Sequence, residues 1–196
     1  MKKLHHLLLS GALATICFSC NNSATSTAAQ DSARVDSARA DSTARATAVT
    51  VSKVDQDFAI STADAGMTEI QAAGIAEKKS TNKEVTDYAK MMVTDHTAAA
   101  DKLKDIAAKK NITLPTTVSA DMQKNLDDLQ SKSGKTFDKD YIKMMVDDHK
   151  KVIKSFEDES KNGQDADIRA FADSTLHTLQ HHLDEAEKCS KMMGKM

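Results

Sequence analysis

Two nearly identical stretches of sequence each end in a histidine that could take part in metal or proton chemistry. Residues 88–96 read YAKMMVTDH and residues 141–149 read YIKMMVDDH, so the two agree at seven of nine positions. Each histidine follows a methionine by four residues, which places His96 and His149 on the apolar face of a helix. The repeat therefore predicts two helices that carry the same chemical group at the same place.

Two other titratable residues, Glu69 and His182, also interrupt apolar helical stripes. At about 1.5 Å per helical residue, they lie at nearly the same depth as the two repeat histidines. One interpretation is a metal site of three imidazoles and one carboxylate, which suits a divalent transition metal such as Zn, Cu or Fe, with Asp95 and Asp148 supporting the ligands from behind. The other is a hydrogen-bonded polar layer that fixes helix register. The sequence leaves both open.

Weaker ligand patterns occur elsewhere in the last helix. His177 and His181 are four residues apart but lie off the apolar stripe, so we interpret them as surface residues. Cys189 and Met193 continue that stripe and are interpreted as core residues. No histidine has a glutamate three residues before it, which argues against a di-iron carboxylate centre. The sequence predicts no catalytic residue and leaves enzymatic activity undecided.

The composition favours helices. Of 196 residues, 40% are hydrophobic but only 4% are aromatic, and the chain has six glycines and one proline. Few turn residues and few aromatic residues argue against a β-sandwich or β-barrel. The formal net charge is −2, and no basic stripe is present, so we expect no nucleic-acid partner.

Residues that face inward recur at three- and four-residue spacing from Val54 onward, and these stripes include Thr62, Ala65, Ala99, Met122, Val152 and Thr175. This pattern predicts helices over about 55–79, 82–110, 119–131 and 136–161, and from 165 onward. Pro115 breaks the chain after the second helix, and Gly134 is expected to end the short third one. The connection between the second and third long helices is long enough to cross the whole bundle. We therefore predict an all-α, ferritin-like four-helix bundle with a short crossover helix.

The first 53 residues differ from the rest of the chain. Lys2 and Lys3 precede an apolar run, and Ser19 precedes Cys20, as in a bacterial lipobox. We predict a lipoprotein signal peptide over 1–19, with lipid attached to Cys20. Residues 20–53 form a tether rich in Ser, Thr, Ala and Asp, which has too little apolar surface to fold alone. Residues 54–196 form the bundle. The lipid would anchor the protein in the cell envelope, facing the periplasm, at the outer membrane.

Residues 54–188 resemble the bacterial DUF4142 family. The resemblance rests on several matching segments: Asp57–Phe58 through Glu69, the stretch 88–96, Leu114–Pro115, Gly134 with Phe137, Asp138 and Tyr141, His149, Asn162–Gly163, and 176–183. It implies a ferritin-like bundle in the envelope, with Glu69, His96, His149 and His182 as characteristic positions, and it implies no activity.

Two functions are therefore expected. The first is a lipid-anchored, non-enzymatic envelope protein with a structural, interaction or stress-related role, acting with a protein partner or as a homo-oligomer. The alternative is a periplasmic metal-binding protein of the copper or zinc type that uses the glutamate and histidines of the core.

Overall fold

The computed structural model describes residues 50–194, and every regular element in this range is an α-helix. The helices are α1 (Lys53–Lys79), α2 (Lys83–Lys110), α3 (Ala120–Ser131), α4 (Gly134–Asn162) and α5 (Ala166–Met193). The predicted all-α fold is confirmed. The predicted signal peptide, the lipidated Cys20 and nearly all of the tether lie outside the described residues. Within the described range, no helix combines the length and apolar character needed to cross a membrane.

Polar side chains at the helix starts explain why the chain becomes helical where it does. Ser52 accepts a hydrogen bond from the backbone N–H of Asp55 at the start of α1. Asn82 and Asp165 cap α2 and α5 in the same way, each accepting from two backbone N–H groups of the first turn. Such caps satisfy donors that have no partner inside the helix. They fix where each helix begins and therefore which residues face the core.

Gly134 plays a different part from the one predicted. The short helix α3 already ends at Ser131, and Gly134 is the first residue of α4, with φ of +55°. A side chain at this φ would crowd the backbone at a cost of about 1–2 kcal/mol, so glycine favours the sharp reversal between the two helices. As a result, α4 begins two residues before the predicted position.

The buried apolar residues form two clusters, one toward each end of the bundle. The methionine core joins the beginnings of α2 and α4 to the ends of α1 and α5, and α3 packs on it. Its large members include Met92, Phe137, Tyr141, Met145 and Leu126. The phenylalanine core joins the ends of α2 and α4 to the beginnings of α1 and α5. Its large members include Phe58, Leu103, Phe156, Phe171 and Leu179.

This distribution fixes the directions of the helices. Because α2 and α4 begin in the same core and end in the same core, they run parallel, while α1 and α5 run the opposite way. Helix α1 packs against α2 and α4, and helix α5 also packs against α2 and α4. The connection that contains α3 returns the chain from the end of α2 to the beginning of α4. Residues near the middle of all four long helices therefore meet at one level.

Candidate metal centre

Four titratable side chains lie between the two cores, one from each long helix. Glu69 comes from α1, His96 from α2, His149 from α4 and His182 from α5. Their exposed fractions are 2, 7, 0 and 1%, so none of them is solvated as a surface residue would be. We call these four residues the histidine layer. The structure thus brings together all four residues that the interrupted stripes predicted to meet.

The histidines are close enough to share one ligand. One ring nitrogen from each of His96, His149 and His182 lies within 4.8 Å of the other two. Glu69 lies beside two of them: its Oε2 is 3.3 Å from Nδ1 of His96, and its Oε1 is 3.4 Å from Nδ1 of His149.

The hydrogen-bond partners indicate which ring nitrogens carry protons. Nδ1 of His149 lies 2.9 Å from the carbonyl oxygen of Met145, to which it donates. Nε2 of His182 lies 2.9 Å from Oδ2 of Asp95 and donates to that carboxylate. Each of these neutral rings then keeps a lone pair on its other nitrogen. Those two nitrogens, Nε2 of His149 and Nδ1 of His182, face each other at 3.3 Å.

His96 also has one ring nitrogen beside an oxygen, but through an ion-pair contact of 3.3 Å rather than a hydrogen bond. Its Nδ1 faces the Glu69 carboxyl, and its buried Nε2 has no hydrogen-bond partner. Each of the three imidazoles therefore has one nitrogen beside an oxygen and one nitrogen without an oxygen partner. Outer oxygen partners of this kind orient metal-binding histidines and raise their basicity. Glu69 thus faces Nδ1 of both His96 and His149, and Nδ1 of His149 is the nitrogen that donates to Met145, so Glu69 lies behind the His149 ring rather than beside its free nitrogen.

Burial keeps the imidazoles neutral. It lowers the pKa of His96 to about 3 and that of His149 to about 4, and the neighbouring His182 adds to both shifts. Burial also lowers the pKa of His182, although Asp95 opposes this effect. A neutral imidazole is the form that binds metal ions. The three histidines are therefore in the neutral form that binds metal ions at neutral pH.

The pKa of Glu69 is shifted in the opposite direction from those of the histidines. Burial, and to a smaller extent the nearby charge of Asp148, raises the pKa of Glu69 to about 8. Its Oε1 is buried without a hydrogen-bond partner. A polar atom left unpaired in this way costs about 1–3 kcal/mol. A positive charge among the histidines would stabilise the ionised form of Glu69 and offset part of this cost.

The two aspartates of the repeat have different surroundings. Asp95 holds His182 directly, as described above. Asp148 pairs with Lys151 at 3.7 Å and acts on the histidine layer through its charge on Glu69. The repeat made these two residues equivalent in sequence, but the structure makes only Asp95 a contact of a histidine ring.

The weaker candidates lie elsewhere. His177 and His181 are exposed on α5. Cys189 is buried in the methionine core, with its Sγ 3.8 Å from the carbonyl oxygen of Glu84.

Sequence reasoning missed two features next to the histidine layer. One is a cavity of about 750 Å³ on the side of the phenylalanine core, whose walls include Glu69, His96 and His182. The other is a pair of buried tyrosine hydroxyls without partners, on Tyr88 and Tyr141. The repeat carried a signal for the tyrosines, because each precedes its histidine by eight residues. A cavity has no comparable sequence signal, since it depends on what neighbouring helices fail to fill.

The comparisons with known proteins agree with this all-helical arrangement. The chain belongs to the family described as DUF4142, a domain of unknown function, which it matches over residues 40–189. The resemblance noted from the sequence is thereby confirmed. A solved structure with a similar fold is a DUF305 fragment from Deinococcus radiodurans, with a TM-score of 0.64 and 8% identity. The match covers 74% of this chain and 99% of that one, and at this identity it shows the fold alone. None of the curated proteins matches the chain.

Proposed function

We propose that the protein binds a divalent transition metal through the free ring nitrogens of His96, His149 and His182. The observation that carries this proposal is the arrangement of ring nitrogens: each imidazole has one nitrogen beside an oxygen, the other nitrogens of His149 and His182 lie 3.3 Å apart, and one ring nitrogen of His96 lies within 4.8 Å of both of those rings. Three imidazoles suit zinc, copper or nickel. Three protein ligands also leave a fourth position open, as in catalytic zinc sites.

The distances support this proposal. In a tetrahedral site with zinc–nitrogen bonds of about 2.0–2.1 Å, two ligand nitrogens are about 3.4 Å apart. The free nitrogens of His149 and His182 are 3.3 Å apart. One ring nitrogen of His96 lies within 4.8 Å of both of those rings, so a tetrahedral site requires its side chain to move closer.

The alternative, a polar layer that only fixes helix register, fits less well. Such a layer requires each buried polar atom to have a partner. Here Nε2 of His96 and Oε1 of Glu69 have none, and His149 and His182 present lone pairs to each other. A bound cation would occupy the space that these atoms share, and it would also favour the ionised form of Glu69.

Elemental analysis of the untagged, full mature chain tests the proposal. The chain is incubated with Zn²⁺ or Cu²⁺ and freed of excess metal by gel filtration. We expect a stoichiometric ion in the native protein and in the control variant His177→Ala/His181→Ala, and its loss in His96→Ala/His149→Ala. Circular dichroism confirms that the variants fold. A native protein without metal, or a core double variant that retains it, would refute the site.

We also propose that this bundle is of the ferritin-like type and is attached to the bacterial envelope by lipid on Cys20. The parallel directions of α2 and α4, joined by a long connection with its own helix, support the ferritin-like assignment. The lipobox-like Ser19–Cys20 supports the anchor. In the native host, Cys20→Ala should move the protein from the membrane fraction to the soluble fraction, with Cys189→Ser as the matched control. Unchanged fractionation of Cys20→Ala would exclude the lipid anchor.

A further inference from the structure

The cavity beside the histidine layer has the size and lining of a small-molecule site. Its volume of about 750 Å³ lies within the usual range of about 300–1,000 Å³ for such sites. Large apolar side chains of the phenylalanine core form much of its wall, namely Leu103, Phe156, Phe171 and Leu179. At the histidine layer, the wall becomes polar through Glu69, His96 and His182.

The cavity explains which predicted core positions are incompletely buried. Six residues on the apolar stripes of the predicted helices are only half-buried, and every one of them lines the cavity: Thr62, Ala65, Ala99, Met122, Val152 and Thr175. Their helices face inward as the sequence pattern requires, but small side chains such as Ala65, Gly66 and Ala99 leave space between them.

The histidine layer makes one end of the cavity polar, whereas the rest of its wall is mainly apolar. Glu69 and His96 line the cavity, and both carry a buried polar atom without a hydrogen-bond partner. An apolar space walled at one end by polar side chains suits a ligand with one polar end.

We propose that the cavity binds a small molecule with an apolar body and a carboxylate head, and that the head takes the open fourth position of the metal. The head-group part of this proposal rests on the proposed function. Three neutral imidazoles give a divalent ion no negatively charged ligand of its own, and Glu69 and Asp95 lie behind the rings, so an anionic head group suits the open position. The apolar walls select the body, and the distance from the metal to the far wall limits its length.

Two glycines of α1 provide a matched pair of variants. A side chain added at Gly66 or at Gly74 would meet open space in both cases, but only Gly66 lines the cavity. Leucine is also a better helix former than glycine, so neither substitution should prevent folding. Gly66→Leu should therefore narrow the cavity, whereas Gly74→Leu should leave it unchanged.

The first experiment tests whether the cavity binds an apolar molecule. The fluorescent probe N-phenyl-1-naphthylamine is added to the full mature chain without metal. We expect saturable binding to the native protein and to Gly74→Leu. Gly66→Leu should bind about threefold to tenfold more weakly, because its side chain takes part of the space that the probe needs. Equal binding to Gly66→Leu and Gly74→Leu, or no saturable binding to the native protein, would overturn the proposal.

The second experiment tests whether the carboxylate head binds at the metal. Octanoate competes with the probe, in the absence and in the presence of Zn²⁺, and octanol serves as the uncharged control. We expect Zn²⁺ to lower the octanoate concentration needed for half-displacement by at least about tenfold, without a comparable change for octanol. In His149→Ala, which lacks a metal ligand but no cavity wall residue, Zn²⁺ should have no effect. Equal competition with and without Zn²⁺ in protein shown to bind the metal would overturn the head-group assignment.

The two experiments separate the two possible failures. If elemental analysis finds no metal but Gly66→Leu alone binds the probe more weakly, the proposed function and the head-group assignment fall while the apolar site stands. If metal binds but Gly66→Leu binds the probe as tightly as Gly74→Leu does, the metal site stands and the cavity proposal falls.

Discussion

The two halves of the bundle are built from the same four long helices but differ in how tightly they are packed. In the methionine-core half, the predicted core positions of the helices are buried, and none of the residues of that core lines the cavity. In the phenylalanine-core half, the same helices leave about 750 Å³ unfilled. The histidine layer lies at the boundary. The difference suggests that one half holds the helices in register, which lets the other half keep open space beside buried ligands without losing the fold.

The largest expected difference between the halves concerns stability. Met145 is fully buried in the methionine core, whereas Met122 is half-buried at the cavity wall. Met145→Ala should lower the free energy of unfolding by about 2–5 kcal/mol, because it leaves a void among packed side chains. Met122→Ala should cost less than about 1 kcal/mol, because it enlarges a space that already exists. Urea unfolding of both variants measures this, and equal losses would mean that the halves do not differ in packing.

A smaller effect is expected at the boundary between the halves. Asp95→Ala removes the carboxylate that orients His182, so it should weaken metal binding by about 10–100-fold. Asp148→Ala is the matched control from the repeat, and because Asp148 pairs with Lys151 we expect a clearly smaller change. Competition with a chelator of known affinity measures both variants. If both weakened binding equally, the position of Asp95 behind His182 would not matter.

The smallest effect is a pH dependence at the far end of the phenylalanine-core half. Burial, with a further contribution from nearby Asp55, raises the pKa of Glu159 to about 7. The folded protein therefore holds a proton that the unfolded chain releases above its ordinary pKa of 4.5, so this residue makes stability fall as the pH rises from about 4.5 to about 7.

Glu159→Gln should reduce that fall, because a neutral amide replaces the titrating group. The measurement is the difference between the urea midpoints of metal-free protein at about pH 5 and about pH 8. Glu157→Gln, which changes an exposed carboxyl on the same helix, is the control. The histidine layer is the same in the native protein and in both variants, so it contributes equally to the pH dependence of each urea midpoint. If the urea midpoint fell as much in Glu159→Gln as in the native protein, Glu159 would not be the source of the pH dependence.

Much of the fold could be predicted because the helices carry their own signals. The caps at Asn82 and Asp165 mark two starts, and the apolar spacing identifies the inward faces. Gly134 was misplaced because a glycine before a helix and one after it look alike in sequence, and only its positive φ as the first residue of α4 distinguishes them.

The candidate site could be predicted only in part. Glu69 and the three histidines were found because each replaces an apolar residue on its stripe. The orientation of each ring could not be found in this way, because it depends on hydrogen bonds such as that from His182 to Asp95. The repeat even made Asp95 and Asp148 look equivalent. The cavity was missed because Thr62 and Ala99 fit an inward stripe whether or not another side chain fills the space opposite them.

Anomalous X-ray diffraction at the absorption edge of bound Zn²⁺ tests the central claim most directly. We predict a strong peak at about 2.0–2.1 Å from one ring nitrogen of each of His96, His149 and His182. The other nitrogens of these rings should face Glu69, Met145 and Asp95. A peak at His177 and His181 instead, or no peak in the bundle core of crystals grown with the metal, would contradict the account.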